Sequence, residues 1–321
     1  MIQKIAVIGA GTMGHGIAES FALHGYEVNL YDSAADRLAA ALGEIERELR
    51  LMAEENYIPE EAISSTLDRI RTVTDLEEAV RDRDYCIEAI PEHLELKQEL
   101  FQRLDSVCPA HTIFASNTSS LELSRMSERV SEARKKRMMI NHWFNPAHLI
   151  PLVELSDFGG TAPEVYEEVE TLYKSIGKQP VRVLKDIPGL IGTRLQQCLA
   201  REVYALIEMG AVDADNIDIA LKFGPAFRHA TTGLIEVSDM GGLDIWCTVA
   251  DNLFGELDRS DRAPDIIRSK VKEGKLGIKS GEGFYPYGAG KAEKVRERFA
   301  RRLIRQLKAS EAYAGSLRHD G

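Results

Sequence analysis

Residues 5–14 read Ile5-Ala6-Val7-Ile8-Gly9-Ala10-Gly11-Thr12-Met13-Gly14. The apolar run predicts a buried strand, and the glycines predict a tight turn that opens a helix. Gly9 permits the turn, Gly11 lets the backbone approach a pyrophosphate, and Gly14 lets helix and strand pack closely. Together with Thr12 and Met13 these glycines form a predicted dinucleotide-binding turn, in which the anion rests on the helix N-terminus.

A second strand and an acidic residue follow in the order that a dinucleotide site requires. Residues 27–31 form a second predicted strand, which is closed by Asp32. A carboxylate there accepts hydrogen bonds from a ribose diol and repels a 2′-phosphate. Because Ser33 and Ala34 supply no arginine, the sequence predicts NAD rather than NADP as the cofactor.

Short strands alternate with helices through the first part of the chain. Strand-like runs recur at 70–73, 85–90 and 112–116. This alternation predicts an α/β domain at residues 1–186, with a Rossmann-type doubly wound parallel sheet and a helical hairpin inserted near 34–69. After Pro188-Gly189 the pattern turns helical, which predicts an all-helical C-terminal domain at 187–321 with a basic amphipathic helix at 290–310.

The composition is that of an ordinary globular protein, with 44% hydrophobic and 28% charged residues. The formal net charge of −11 argues against nucleic acid as a partner. No apolar stretch is long enough to span a bilayer and the first residues already form a strand, so neither membrane insertion nor a signal peptide is predicted, and the expected location is cytoplasmic. Four scattered cysteines indicate neither a zinc site nor disulfides, and no metal is expected.

The segment 141–155 indicates acid–base chemistry. His142 ends one apolar run, and Glu154 lies within another. A histidine can relay a proton near neutral pH when a second group fixes its tautomer, and a glutamate among apolar residues is costly to bury unless it is paired. The pattern therefore predicts a paired general base. The alternative is a hydrogen-bonded core histidine and a turn-capping glutamate.

Several separate motifs, in the same order, resemble the 3-hydroxyacyl-CoA dehydrogenase family as far as about Tyr287. The matching segments are residues 9–14, 91–97, 115–120, 142–154, 188–189 and 279–285. The resemblance implies an NAD domain joined to a helical domain that forms a homodimer. It also implies reversible NAD-dependent oxidation of a short-chain L-3-hydroxyacyl-CoA to the 3-ketoacyl-CoA, within fatty acid metabolism.

The resemblance implies roles for matched positions. His142 takes the hydroxyl proton as general base, Glu154 orients it, and Ser119 hydrogen-bonds the reacting oxygen of the substrate beside the cofactor. The other positions that it implies at the NAD site are Glu92, Lys97, Asn145 and Lys279. A non-catalytic NAD-binding protein is a further alternative, which the presence of the three catalytic residue types argues against.

Three departures from the family pattern leave the substrate open. Thr193 stands where the family has an asparagine that holds the reacting oxygen, and its hydroxyl can donate the same bond with a shorter reach. Residues 51–68, in the hairpin, contain acidic side chains but no Lys or Arg. Such a segment is expected to repel the phosphates of CoA rather than bind them. Arg228 lies in a segment, 224–230, that resembles relatives acting on gulonate or carnitine, and it can clamp a carboxylate or form an interdomain salt bridge. A free 3-hydroxy acid, or another small hydroxy or aldehyde carboxylate, is therefore the alternative to the acyl-CoA.

Overall fold

The structure is a computed structural model that describes residues 2–288 and 290–312. Parts of both predicted domains, at residues 1, 289 and 313–321, lie outside the described residues. The chain divides into two compact units, Met1–Thr193 and Arg194–Gly321. The first unit includes the backbone amides of Ile191 and Gly192, which donate hydrogen bonds to Glu154 in its sheet.

The first unit contains one eight-stranded sheet. Its strands are β1 (Lys4–Ile8), β2 (Glu27–Tyr31), β3 (Ile70–Val73), β4 (Tyr85–Glu88), β5 (Ile113–Ser116), β6 (Met138–Trp143), β7 (Leu152–Ser156) and β8 (Gln179–Val183). They lie in the order β3-β2-β1-β4-β5-β6-β7-β8. All neighbours are parallel except β6 and β7. The prediction of a Rossmann-type, mostly parallel sheet is confirmed.

Helices accompany the sheet along the chain. They are α1 (Gly14–Leu23), α2 (Ala35–Glu54), α3 (Glu61–Leu67), α4 (Leu76–Val80), α5 (Leu94–Val107), α6 (Leu123–Met126), α7 (Glu132–Lys135) and α8 (Pro163–Ser175). Every residue of β4, β5 and β6 is buried, which explains why these strands are mostly apolar in sequence. The helices α2 and α3 form the hairpin that the sequence predicted.

The sheet order places a crevice at β1. Its neighbours are β2 on one side and β4 on the other, and β4 follows only after the connection through β3. In open α/β sheets ligands bind beyond the carboxyl ends of the strands at such a switch point. The glycine turn after β1 and the loop after β4 therefore border the expected ligand site.

The second unit is helical, as predicted. Its elements, with α9 beginning at the end of the first unit, are α9 (Gly192–Glu208), α10 (Ala214–Phe223), α11 (Pro225–His229), α12 (Leu234–Gly241), α13 (Leu243–Leu253), α14 (Asp265–Lys272) and α15 (Ala292–Ser310). Isolated β-bridges link Glu282 to Gly277 and to Pro286. Across the described residues, no helix is both long enough and apolar enough to cross a bilayer.

Candidate active site

The turn between β1 and α1 has the shape that a dinucleotide requires. Gly9 has a φ of +104°, and a Cβ on Gly14 would lie 1.7 Å from the carbonyl oxygen of Gly9, so no side chain fits there. A Cβ on Gly11 would meet nothing within 4 Å, because that backbone faces open space. The turn thus exposes backbone to a pyrophosphate at the N-terminus of α1.

A cleft of about 670 Å³ lies beside this turn, and the predicted residues in its lining are Gly9, Gly11, Thr12, Met13 and Asp32. Asp32 is 7% exposed, and its two carboxylate oxygens accept from the amides of Ala10 and Ala34, both at 3.1 Å. The carboxylate is thereby fixed at the end of β2, where a ribose is expected. Arg37 and Arg103 also line the cleft. The sequence interpretation missed both, although Arg37 could have been found by its position in the first turn of α2.

Glu92 organises the loop after β5. Its Oε1 accepts from Ser120 Oγ at 2.9 Å, Thr118 Oγ1 at 2.5 Å and the amide of Ser119 at 3.2 Å. Burial alone raises the pKa of Glu92, but the bond from Thr118 and the charge of Lys97 outweigh it, so the pKa is lowered. Glu92 is therefore an ionised anchor that holds the backbone of Ser119 in place.

Lys97 lies behind this loop. It is 1% exposed, and its Nζ donates to Glu88 Oε1 at 2.6 Å and lies 3.2 Å from Glu92 Oε2. Glu88 is fully buried and also accepts from Ser116 Oγ. The sequence interpretation missed Glu88, and the signal was a glutamate inside the apolar run 85–90. Lys97 therefore stabilises the loop after β5 indirectly, through its ion pairs with Glu88 and Glu92.

His142 and Glu154 meet across the antiparallel pair β6–β7. They are directly opposite in the register, and His142 Nδ1 lies 2.8 Å from Glu154 Oε2. A carboxylate can only accept here, so Nδ1 carries the proton and Nε2 keeps its lone pair. His142 is 7% exposed and its ring packs 4.8 Å from that of Phe144. The arrangement supplies an oriented imidazole with a basic nitrogen.

The other carboxylate oxygen of Glu154 is bound as well. Its Oε1 accepts from the amides of Ile191 at 2.7 Å and Gly192 at 2.8 Å. Burial alone raises the pKa of Glu154, but the bonds from His142, Gly192 and Ile191 lower it overall. The carboxylate is therefore held as an anion. The amides were missed by the sequence interpretation, and the chain reversal at Pro188-Gly189 was their only signal.

The remaining predicted site residues are distributed over both units. In the first unit Ser119 lines a small cavity with Ile140 and Leu190, Asn145 is exposed in the loop between β6 and β7, and Thr193 is half-buried at the end of the unit. Arg228 and Lys279 are exposed side chains of the second unit.

This fold and site define a Rossmann-type, NAD-dependent dehydrogenase. The family model of the 3-hydroxyacyl-CoA dehydrogenase NAD binding domain matches residues 4–187, and that of the 3-hydroxyacyl-CoA dehydrogenase C-terminal domain matches residues 189–287. The chain therefore belongs to the 3-hydroxyacyl-CoA dehydrogenase family, whose members are oxidoreductases acting on CH–OH groups. The predictions of the family, of NAD and of an enzyme are confirmed.

Relatives within the family differ in their substrates. The chain is 33% identical over 95% of its length to the 5-formyl-3-hydroxy-2-methylpyridine 4-carboxylate 5-dehydrogenase of Mesorhizobium japonicum, covering 97% of that protein. A crystal structure of such a dehydrogenase, described as an NAD⁺-dependent dismutase, matches with a TM-score of 0.88 at 32% identity, over 97% of this chain and 99% of that one. The mitochondrial hydroxyacyl-coenzyme A dehydrogenase of Rattus norvegicus is 37% identical, over 89% of this chain and 92% of that protein. The (S)-3-hydroxybutyryl-CoA dehydrogenase structure from Ralstonia eutropha has a TM-score of 0.71 at 30% identity, over 90% and 100%.

Proposed function

We propose that this enzyme oxidises a small molecule that carries a free carboxylate, with His142 as general base. The reacting group is a secondary alcohol or the hydrate of an aldehyde, since both present a C–H and an O–H on one carbon. The observation that carries the chemistry is the 2.8 Å bond between His142 Nδ1 and Glu154 Oε2. It leaves Nε2 able to take the hydroxyl proton, while bound NAD supplies the acceptor for the hydride.

The surrounding residues position and stabilise this base. Glu154 is an anion fixed by two backbone amides, so it stabilises the imidazolium that forms when Nε2 is protonated. The hydroxyls of Ser119 and Thr193 are the candidates for holding the reacting oxygen. The backbone amide of Ser119 donates a hydrogen bond to Glu92, which fixes the position from which the Ser119 side chain extends.

The charge of the hairpin supports a free carboxylate over a CoA thioester. Residues 51–68 contain acidic side chains but no Lys or Arg. On α2 the cations Arg47 and Arg50 are already paired, with Glu44 and with Glu46. A CoA nucleotide brings several phosphate charges, and an acidic surface with neutralised arginines repels them. The pyridine carboxylate substrate in the name of the Mesorhizobium relative, which matches nearly the whole chain, agrees with this reading.

The second candidate is the oxidation of a short-chain L-3-hydroxyacyl-CoA. The names of relatives support it, such as the probable 3-hydroxybutyryl-CoA dehydrogenase of Bacillus subtilis, which is 35% identical over 89% of this chain. On this reading the enzyme serves fatty acid metabolism. The cytoplasmic location stays a prediction.

Steady-state kinetics with a matched panel separate the two candidates. Rates of NADH formation are compared for L-3-hydroxybutyryl-CoA, free 3-hydroxybutyrate, carnitine, gulonate and an aromatic aldehyde carboxylate. We expect at least one free carboxylate to exceed the thioester by about 10²-fold or more in kcat/KM, which is a difference of about 2.7 kcal/mol. A preference for the thioester would overturn the substrate proposal and leave the chemistry intact.

Two variants test the chemistry and the carboxylate separately. His142→Ala should cut turnover by about 10²-fold or more and leave NAD binding nearly intact. Arg228→Met should raise KM for a free carboxylate about tenfold or more through the loss of a bidentate bond, whereas the exposed Arg262→Met serves as its control. Full turnover by the His142 variant would remove this residue from the mechanism. An unchanged KM in the Arg228 variant would remove that residue from substrate binding.

We also propose that the second unit forms a homodimer. None of the described residues in α10 to α14 is buried in the single chain. Large apolar side chains are exposed there, including Ile235 at 77%, Met240 at 79% and Leu243 at 62%. Monomers rarely leave apolar surface of this extent uncovered, so a second copy is the expected partner. Light scattering after gel filtration should give twice the chain mass, and a double variant, Ile235→Lys with Met240→Lys, should give the monomer. A monomeric wild type would contradict the proposal.

A further inference from the structure

A cluster of carboxylates and imidazoles joins three elements of the first unit. His15 and Glu19 lie one turn apart on α1, Glu48 lies on α2, and His148 lies in the loop between β6 and β7. One possible ligand atom from each of Glu19, Glu48 and His148 lies within 4.8 Å of the other two. The side chains that organise the dehydrogenase site do not include any member of this cluster.

The cluster contains buried polar atoms without partners. Glu19 is fully buried, and neither of its carboxylate oxygens has a hydrogen-bond partner among the described residues. Glu48 Oε2 and His148 Nδ1 are likewise buried without a hydrogen bond in this part of the chain. Buried polar atoms are almost always satisfied in native proteins, so atoms of this kind that converge on one point indicate a ligand.

The distances fit a metal ion. His148 Nδ1 lies 3.5 Å from Glu48 Oε2, and His15 Nε2 lies 3.3 Å from the same oxygen. Two ligands of a tetrahedral Zn²⁺, with bonds of about 2.0–2.1 Å, lie about 3.3 Å apart. His15 Nδ1 donates to the carbonyl oxygen of Gly11 at 2.9 Å, and Nε2 lies 3.4 Å from Glu48 Oε1, so the ring is oriented with Nε2 towards Glu48. Metal-binding histidines are usually oriented by a bond of this kind.

The charges of the cluster also favour a cation. Glu19 is fully buried and offers a carboxylate oxygen within 4.8 Å of one from Glu48, so a bound cation would offset the repulsion between two carboxylates. Lys178 lies near the cluster, but its Nζ already donates hydrogen bonds to the carbonyl oxygens of Ala147 at 2.6 Å and Ile150 at 2.9 Å.

We propose that Glu19, Glu48, His148 and His15 bind a divalent transition-metal ion of the Zn²⁺ type. Two carboxylates and two imidazoles suit such an ion, whereas Mg²⁺ and Ca²⁺ prefer oxygen ligands alone. The side chains of His15 and Glu48 are 15% and 14% exposed, which gives the ion a path from solvent. The bound ion is structural, since it ties the loop that carries Asn145 to the helix that follows the glycine turn.

Zinc loading of the full-length protein tests the site. The protein is stripped with a chelator, incubated with Zn²⁺ alone, desalted and analysed for metal by mass spectrometry and for its melting temperature. We expect one Zn²⁺ per chain and a rise of several degrees in Tm. A double variant, Glu19→Gln with His148→Gln, should retain no Zn²⁺ and show no rise. The matched control, Glu46→Gln with His111→Gln, changes exposed residues and should behave as wild type.

Loading the wild-type protein with Co²⁺ tests the site even if the double variant fails to fold. Wild-type protein loaded with Co²⁺ should show the intense visible absorption bands of a tetrahedral nitrogen and oxygen site, and added Zn²⁺ should remove them. Protein that retains no Zn²⁺ and shows no cobalt bands would overturn the proposal, and the two carboxyl groups would then share a proton instead. Equal Zn²⁺ retention by the double variant and the wild type would also overturn it.

Discussion

Replacement of Glu154 by glutamine tests how the base is oriented. In the wild type one carboxylate oxygen accepts two backbone amides and the other accepts His142 Nδ1–H. A glutamine has only one acceptor oxygen, and turning it away from the amides leaves two backbone N–H groups unpaired, at a cost of about 1–3 kcal/mol for each buried donor. The oxygen therefore stays with Ile191 and Gly192. The side-chain NH₂ then faces Nδ1, which must become the acceptor.

The forced tautomer places the proton on Nε2, where the base needs a lone pair. We expect Glu154→Gln to lower kcat by about 10³-fold, equivalent to about 4 kcal/mol in the barrier, with nearly unchanged NADH affinity. Stopped-flow or steady-state NADH formation measures the rate, and NADH fluorescence measures the affinity. Glu154→Asp should recover part of the rate because it restores the charge, and Glu167→Gln on the exposed face of α8 is the control. A Glu154→Gln enzyme within threefold of wild type, roughly 0.7 kcal/mol, would refute this account of the pair.

Three further variants test the cofactor site, the packing and a buried amine. Asp32→Ser should raise KM for NAD about 10- to 100-fold through lost ribose hydrogen bonds, and an unchanged KM would place the ribose elsewhere. Gly192→Ala puts a Cβ 2.5 Å from Phe144 Cζ and should cost about 1–3 kcal/mol in urea unfolding, whereas Gly43→Ala, whose Cβ meets nothing within 4 Å, should not destabilise. Burial lowers the pKa of Lys178 from 10.5 to about 7, so the unfolded chain binds more protons between these values and the free energy of unfolding rises with pH across that window. The rise should be roughly 5 kcal/mol at most and absent in Lys178→Met, and parallel pH curves for the two proteins would contradict it.

Local patterns predicted most of the nucleotide-binding half. A glycine turn between an apolar run and a helix has few conformational solutions, so Gly9, Gly14 and Asp32 could be assigned by position alone. The fully buried strands were recognisable because most of their residues are apolar, although Glu88, Asn141 and His142 interrupt the pattern. Nothing local in the sequence shows that the amides of Ile191 and Gly192 bind a carboxylate in the sheet.

Sequence patterns were enough to predict the fold class, NAD and the pairing of His142 with Glu154, because these depend on periodicity and on residue types within short segments. Which residues from distant parts of the chain lie in contact could be seen only in the folded molecule. It buried Glu88 against Lys97, and it gathered Glu19, Glu48 and His148 from distant parts of the chain. The physical reason is that pairing energies depend on distance and burial, and both are set by packing between elements rather than by spacing along the chain.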